Sequence, residues 1–269
     1  MAKSIDFNSV SGHYETNSLV QKGAAETLFA LLSIGENESV LDVGCGPGNL
    51  TKRIRDITSG RVVGIDASKE MIKSAKRNYE KFYIEFYEMR AEEMNFHEEF
   101  DVIFCNSTFQ WFTHPEKVVS AFYSALKKNG RVGIQAPGGG RYCENFLKAI
   151  DRIKSDPGTK DIFSRWKNPF FMPEKASDYS IVFEKAGFKV TFAEIKTINT
   201  KYTPEEAFNI FSSGAIAGYL NREYYEGEIS EEYIESFKGI VKEEIKKEAE
   251  ENGHVELIFR RIFLTGVKV

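Results

Sequence analysis

The sequence predicts an α/β fold: a doubly wound, mostly parallel seven-stranded sheet with helices on both faces and a helical cap inserted before the last strand. Three observations lead there. Short apolar runs alternate with amphipathic helical patterns over residues 39–136, the rhythm of parallel strands joined by right-handed crossovers. Strand-like alternation returns at 188–196 and again at 257–267. Roughly sixty residues separate these last two runs, far more than an ordinary connection holds.

Each element has a local reason. Ser18-Leu19-Val20-Gln21 has the form of a capping box and opens a helix to about Leu32, with apolar Leu28, Leu31 and Leu32 on one side. Residues 39–43 form a buried strand, 50–57 its crossover helix, 61–65 a second strand and 69–78 a second crossover helix. Strands follow at 84–89 and 100–105. A helix over 115–127 stops at Asn129-Gly130, where glycine suits a C-terminal cap, and 131–136 is the fifth strand. Beyond it come the Gly138-Gly139-Gly140 loop and helices at 142–154 and 173–186. The insertion holds helical patterns at 204–211 and 230–249. In the second of these, Ile234, Phe237, Val241 and Ile245 make an apolar stripe facing either the sheet or a second subunit, so monomer and homodimer both stay open. The expected division is a core of 1–198 and 255–269, with 1–35 as an N-terminal lid and helix, and a substrate-side cap of 199–254.

Bulk properties narrow the function. At 269 residues, 42% hydrophobic and 28% charged, the chain fits one globular domain with an insertion. A net charge of -4 creates no field for nucleic acid or anionic membrane. Three scattered cysteines, with no C-x-x-C, point to neither disulfides nor zinc, and His13, His97, His114 and His254 share no ligand spacing, so no metal is expected. Without an apolar signal core or an 18-residue apolar window, the expectation is a cytoplasmic protein with no membrane partner.

The most informative segment is Ser39-Val40-Leu41-Asp42-Val43-Gly44-Cys45-Gly46-Pro47-Gly48-Asn49-Leu50. An apolar strand runs into three glycines and then a helix. Glycine permits the sharp turn and close backbone approach, and the first helical turn presents unpaired N–H groups to a ligand. The spacing is G-x-G-x-G, not the G-x-G-x-x-G of dinucleotide pyrophosphate sites. Asp66, after the next strand, is placed to bond ribose hydroxyls. A plain strand–helix connection, with Asp66 or Ser68 as a helix N-cap, is the bland alternative.

Residues 41–48, with Gly64-Ile65-Asp66-Ala67-Ser68 and Met71, resemble the cofactor half of the class I S-adenosylmethionine-dependent methyltransferases, a Rossmann-like family. The resemblance implies S-adenosylmethionine as cofactor and S-adenosylhomocysteine as product. It assigns Asp42, Gly44 and Gly46 to the amino-acid part, Asp66 to the ribose, and Ala67 and Met71 to neighbouring contacts. Many members carry Asp-Ala after the third strand, the acid bonding the adenine amino group. Here Arg90 stands in the acid's place, so either Glu92 substitutes or the Ala91 backbone and apolar packing hold the ring. In Asn106-Ser107-Thr108-Phe109-Gln110-Trp111, Asn106 is a ligand contact, Trp111 faces the sulfonium, and Phe109, with the following Phe112, is core. This run is not the Asn-Pro-Pro-Tyr motif of nucleic-acid amino methylases, which favours oxygen or carbon acceptors. By analogy with the family's lid, Tyr14 and Gln21 touch the cofactor.

Ser213-Gly214-Ala215, Tyr219-Leu220 and residues 253–264 are similar to the trans-aconitate methyltransferase branch, and the malonyl-carrier-protein methyltransferases share the 106–111 pattern. That branch implies O-methylation of a carboxylate on a small molecule or a carrier-bound acyl group. A carboxylate is ionised at neutral pH and needs no base, and only His13 is placed as one. Further substrate carboxylates would need charge-assisted donors, for which Arg141, Arg222 and Arg260 are candidates. A carbon methyltransferase of the quinone or isoprenoid kind, and a non-catalytic cofactor-binding module, are the competing readings.

Overall fold

A computed structural model describes residues 19–249, 251 and 253–269, with only the backbone of 19–22. The chain runs α1 (Leu19–Leu32), β1 (Val40–Val43), α2 (Asn49–Ile57), β2 (Val62–Asp66), α3 (Lys69–Tyr79), β3 (Glu85–Glu88), β4 (Phe100–Asn106), α4 (Pro115–Ala125), β5 (Leu126–Pro137), α5 (Glu144–Ser155), α6 (Lys160–Phe163), α7 (Ala176–Lys185), β6 (Phe188–Tyr202), α8 (Pro204–Ser213), α9 (Ile216–Tyr219), α10 (Glu231–Lys247) and β7 (Val255–Lys268). The sheet has seven strands in the order β3-β2-β1-β4-β5-β7-β6. β1 to β5 pair in parallel, whereas β7 runs antiparallel to both β5 and β6. The expected doubly wound, mostly parallel sheet is what forms.

Strand order reverses between β1 and β4, whose chains leave toward opposite faces. This is where open α/β sheets leave a crevice at their carboxyl edge. Both faces of the central strands are covered, which is why β1 and β4 are apolar apart from Asp42, Asp101 and Asn106. On one face Leu41, Val63, Ile103 and Ile134 pack with Val118 and Phe122 of α4 and Tyr179 and Phe183 of α7. On the other, Val40, Val62, Val102 and Phe104 meet Leu28 and Leu32 of α1, Ile54 of α2 and Ile72 of α3.

A third apolar cluster lies beyond the carboxyl edge and joins Phe146 and Ile150 of α5 with Phe211 of α8, Phe237 and Val241 of α10, and Leu257 and Phe259 of β7. β6 and β7 are longer than their central alternation predicts. They stay paired from Phe188↔Lys268 out to Tyr202↔Val255, and the projecting arm carries this helical layer. It takes in α5 and α6 as well as the segment between β6 and β7. The stripe on α10 faces inward: Phe237, Val241 and Ile245 are buried, against α5 and α8.

α4 ends at Ala125, two residues short of the predicted 115–127, because tertiary pairing overrides helical pattern. Leu126 pairs with Phe100, and Lys127 reaches Asp101 at 2.8 Å, so the chain is already strand there. The Asn129-Gly130 signal is a turn within this irregular start of β5, with Asn129 at φ 64°.

Phe109 is fully buried, with the rings of Phe112, Phe171, Tyr179 and Phe183 centred 5.4, 5.9, 6.2 and 5.7 Å away. Phe109→Ala is expected to lower unfolding free energy by about 3–5 kcal/mol, read from urea midpoints. A loss under about 1 kcal/mol would remove Phe109 from the core.

Candidate functional site

The site starts from the turn after β1. Gly44, Gly46 and Gly48 have φ of 75°, 55° and 88°, the left-handed region that favours glycine. At Gly44 there is a second constraint: a Cβ would lie 2.2 Å from Thr108 Oγ1. The turn is anchored to β2, since the N–H groups of Gly44 and Cys45 both donate to the Ile65 carbonyl, at 2.8 and 3.0 Å. α2 then begins with Gly48 as N-cap and without a side-chain cap hydrogen bond.

Asp66, the last residue of β2, holds the other side of this turn. Its Oδ2 accepts from Gly46 N–H at 2.9 Å and its Oδ1 from Ser68 N–H at 2.8 Å. Ser68 is the helix cap, accepting from Met71 N–H at 3.3 Å at the start of α3, which leaves Asp66 as the residue that shapes the turn. Burial raises the Asp66 carboxyl above its usual range, with the two N–H bonds acting against it.

Asp42 lies beneath, 2% exposed, and accepts from Thr51 Oγ1 at 2.7 Å. Burial pushes its carboxyl up to about 7, opposed by the Thr51 bond and helped by the charge of Asp66. It supports the turn from below and does not border the cleft.

One cleft opens between the carboxyl ends of β1, β2 and β4. It is lined by Val43, Gly44, Gly46, Ile65, Asp66, Ala67, Met71, Met89, Arg90, Ala91, Glu92, Ser107, Thr108, Trp111 and Phe112. Eight residues selected from the sequence, Gly44, Gly46, Asp66, Ala67, Met71, Ala91, Glu92 and Trp111, therefore meet in one place. Asn106 does not border it: it is buried, with Nδ2 donating to Ser107 Oγ at 3.4 Å and Oδ1 lacking a partner. Ser107 and Thr108, to which the 106–111 run assigns no role, do border it. Ser107 sits at φ 55°, a backbone turn without a sequence signature, whereas Thr108 fills the space that Gly44 leaves. Phe112 serves both core and cleft.

Arg90 and Glu92 face each other, Nε to Oε2 at 3.9 Å, so the carboxylate that would replace the family's adenine-binding acid has an arginine beside it. The three candidate anion donors are dispersed and already paired. Arg141 binds Glu144 through Nε at 2.6 Å, Arg222 pairs with Glu231, and Arg260 lies 3.6 Å from Glu174. None of the three lines the cleft. On β7 the alternation Val255, Leu257, Phe259 continues onto Arg261, and it is Arg261 that turns inward. His13 and Tyr14 lie outside the described residues, as does the side chain of Gln21. Among the described residues no three His, Cys, Asp or Glu gather as for a metal, and no helix is long and apolar enough to cross a membrane. Cys45, Cys105 and Cys143 are buried and unbridged, their thiols pushed up by that burial.

A family model described as a methyltransferase domain matches residues 34–187. Over 151 residues the chain is 34% identical to the malonyl-[acyl-carrier protein] O-methyltransferase of Calditerrivibrio nitroreducens, which covers 55% of this chain and 57% of that one. The chain thus spans little more than half the length of the curated relatives it matches. Among solved structures, the YcgJ protein of Bacillus subtilis superposes with a TM-score of 0.60 at 17% identity, over 92% of this chain and 98% of that one. Phosphoethanolamine N-methyltransferase 2 of Haemonchus contortus, solved with phosphomonomethylethanolamine and S-adenosylhomocysteine, gives 0.61 at 18% identity, over 99% and 59%. At such identities the structural likeness is one of fold.

The raised carboxyl of Asp42 has a thermodynamic consequence. Between its unfolded value near 4 and its folded value of about 7, the folded protein holds a proton that the unfolded chain has released. This contribution is complete below pH 4 and is lost as pH rises through 7. Asp42→Asn removes it, so unfolding free energy of the unsubstituted protein should fall relative to the variant by roughly 1.4 kcal/mol per pH unit from pH 5 to 7. Parallel stability curves over that window would contradict the assignment.

Proposed function

The chain belongs to the methyltransferase-domain family, the class I S-adenosylmethionine-dependent methyltransferases, and on that premise we propose that it transfers the methyl group of S-adenosylmethionine to a carboxylate oxygen of a small molecule or a carrier-bound acyl group. The cleft suits the cofactor: a turn of left-handed glycines, a carboxylate at the end of β2, and apolar Met71, Met89, Ala91 and Trp111 around them. Asp66 would hold the ribose hydroxyls through lone pairs left by its two N–H bonds. Ala91, Met71 and Ala67 would hold the adenine, with Glu92 beside Arg90 at the ring's polar edge. Trp111 would present its ring to the positive sulfur, an interaction of about 0.5–2 kcal/mol. Asp42, Gly44 and Gly46 would shape the end that receives the amino acid.

The observation that carries the choice of acceptor is the set of ionisable groups in the cleft. Among the described residues only Asp66, Arg90 and Glu92 line it, and no histidine, lysine or cysteine does. Asp66 is engaged by two backbone N–H groups and by the ribose it would hold, and Glu92 faces Arg90, so each is committed away from the acceptor. A carbon or hydroxyl acceptor needs a base, whereas a carboxylate with a pKa near 4 arrives ionised. The cofactor, when bound, supplies a methyl carbon on a sulfonium whose leaving thioether needs no acid. A carboxylate oxygen would take that methyl group with the C–S electron pair left on sulfur, so the chain would need no residue to move a proton. The protein's part is to align the two groups and exclude water. The O-methyl transfer named for the Calditerrivibrio relative agrees with this reading. A net charge of -4 disfavours nucleic acid as substrate.

Incubation with methyl-labelled S-adenosylmethionine and a panel of polycarboxylic acids and malonyl thioesters is expected to place base-labile label on one acid, with an equal amount of S-adenosylhomocysteine. Base-stable label would mean a carbon acceptor. Cofactor binding without transfer to any acceptor would mean a binding module.

A further inference from the structure

Among the described residues Arg261 is a buried arginine with no counter-charge. Arg261 lies on β7 between Pro137 of β5 and Lys196 of β6 and is 6% exposed. Among the described residues its guanidinium makes no ion pair and no hydrogen bond. Nε is buried without an acceptor, and the group rests on the face of Phe259, with Cζ 4.8 Å from the ring centre. Arg141, Arg222 and Arg260 each have a carboxylate, which makes the contrast specific. Burial lowers the Arg261 pKa to about 10, which leaves it charged at neutral pH. A cation withdrawn from water and left unpaired destabilises a fold, and the cost disappears when an anion arrives.

A second donor beside it is also without an acceptor. Gln135 is fully buried on β5 opposite Phe263, two residues along β7 from Arg261 and on the same sheet face. Diagonal neighbours of this kind stand about 7–8 Å apart, within reach of two long side chains. Gln135 Oε1 accepts from Ser107 Oγ at 3.0 Å, while its Nε2 has no partner. The two orphaned groups are both donors and together carry one positive charge. An acceptor-only anion with two oxygens satisfies both, and guanidinium geometry suits a carboxylate. Ser107 borders the cleft, so Gln135 is one hydrogen bond from the cleft and one diagonal register step from Arg261.

We propose that Arg261 and Gln135 Nε2 form the substrate's anion subsite and hold a carboxylate of the methyl acceptor. Resting on the methyl-transfer reading, the subsite has a further implication. Arg261 does not border the cleft, so the carboxylate it holds is separate from the one that is methylated. The preferred acceptor then carries at least two carboxylates, and a malonyl thioester, which has one, uses the subsite poorly.

The test titrates succinate, glutarate and citrate against acetate at fixed ionic strength, with and without S-adenosylhomocysteine, into the unsubstituted protein, Arg261→Met and Arg261→Lys. At least one di- or tricarboxylate should raise the melting temperature by a few degrees while acetate does not. Arg261→Met should weaken that binding at least tenfold, keep S-adenosylhomocysteine affinity within twofold, and melt no lower than the unsubstituted protein, because an unpaired buried charge has been removed. Arg261→Lys should retain part of the effect. Equal anion affinity in Arg261→Met, or no polycarboxylate binding to the unsubstituted protein, would overturn the proposal. So would a large fall in melting temperature in both variants, which would make Arg261 structural. A tenfold loss of S-adenosylhomocysteine affinity in Arg261→Met would assign the arginine to the cofactor's own carboxylate. Absence of S-adenosylhomocysteine binding to the unsubstituted protein would instead count against methyl transfer, and anion binding would be read separately.

Discussion

The hydrogen bond from Gly46 N–H to Asp66 Oδ2, 2.9 Å long, closes the turn after β1 onto the end of β2. Three left-handed residues in a short span cost backbone entropy, and the turn holds its shape because neighbouring strands receive its N–H groups. Ile65 takes two of them and Asp66 a third. The parallel pairing of β1 with β2 sets the register that brings these partners within reach, from Val40↔Val62 to Val43↔Ile65. Thr108, arriving from the end of β4, fills the space that a side chain at Gly44 would need. Three strands thus build one cradle, and its position at the reversal of strand order is what leaves it open to a ligand.

The far edge of the sheet serves a different purpose. β6 and β7 extend beyond the central strands as a paired arm, and α5, α6 and α8 to α10 pack around it into a separate apolar cluster. Trp111 stands at the junction: it lines the cleft and lies 5.0 Å from Phe170, whose ring in turn meets Trp166 and Tyr219 of the helical layer. The cleft and the helical layer are therefore in contact through aromatic packing. Of the buried donors of β5 and β7, Gln135 reaches the cleft through its bond from Ser107. Fold alone does not decide the reaction here, since the sheet topology accommodates many acceptors; the decision rests with the few polar groups at this boundary.

What was legible follows from where the information resides. β1, β2, β4 and the glycine turn can be read locally, because burial on both faces demands continuous apolar runs and left-handed turns demand glycine. The end of α4 cannot, because Leu126 is recruited by Phe100, a partner distant in sequence. Ser107 and Thr108 gain their place from backbone geometry and from a neighbour's missing side chain, neither of which is a motif. The arginines show the sharpest limit. Arg260 and Arg261 are adjacent, and strand alternation sends one outward and the other inward, so a shift of one residue reverses the assignment. The period through Val255, Leu257 and Phe259 marks Arg261 as inward, but a buried arginine is rare enough that charge pattern alone favours its neighbour.

The central claim is that the Asp66-pinned turn is an S-adenosyl cradle and not a dinucleotide site. Calorimetric titration of the unsubstituted protein with S-adenosylhomocysteine and, separately, with a nicotinamide dinucleotide tests it most directly. The account predicts one S-adenosylhomocysteine per chain and no heat from the dinucleotide. Saturable dinucleotide binding, with none by S-adenosylhomocysteine, would contradict it.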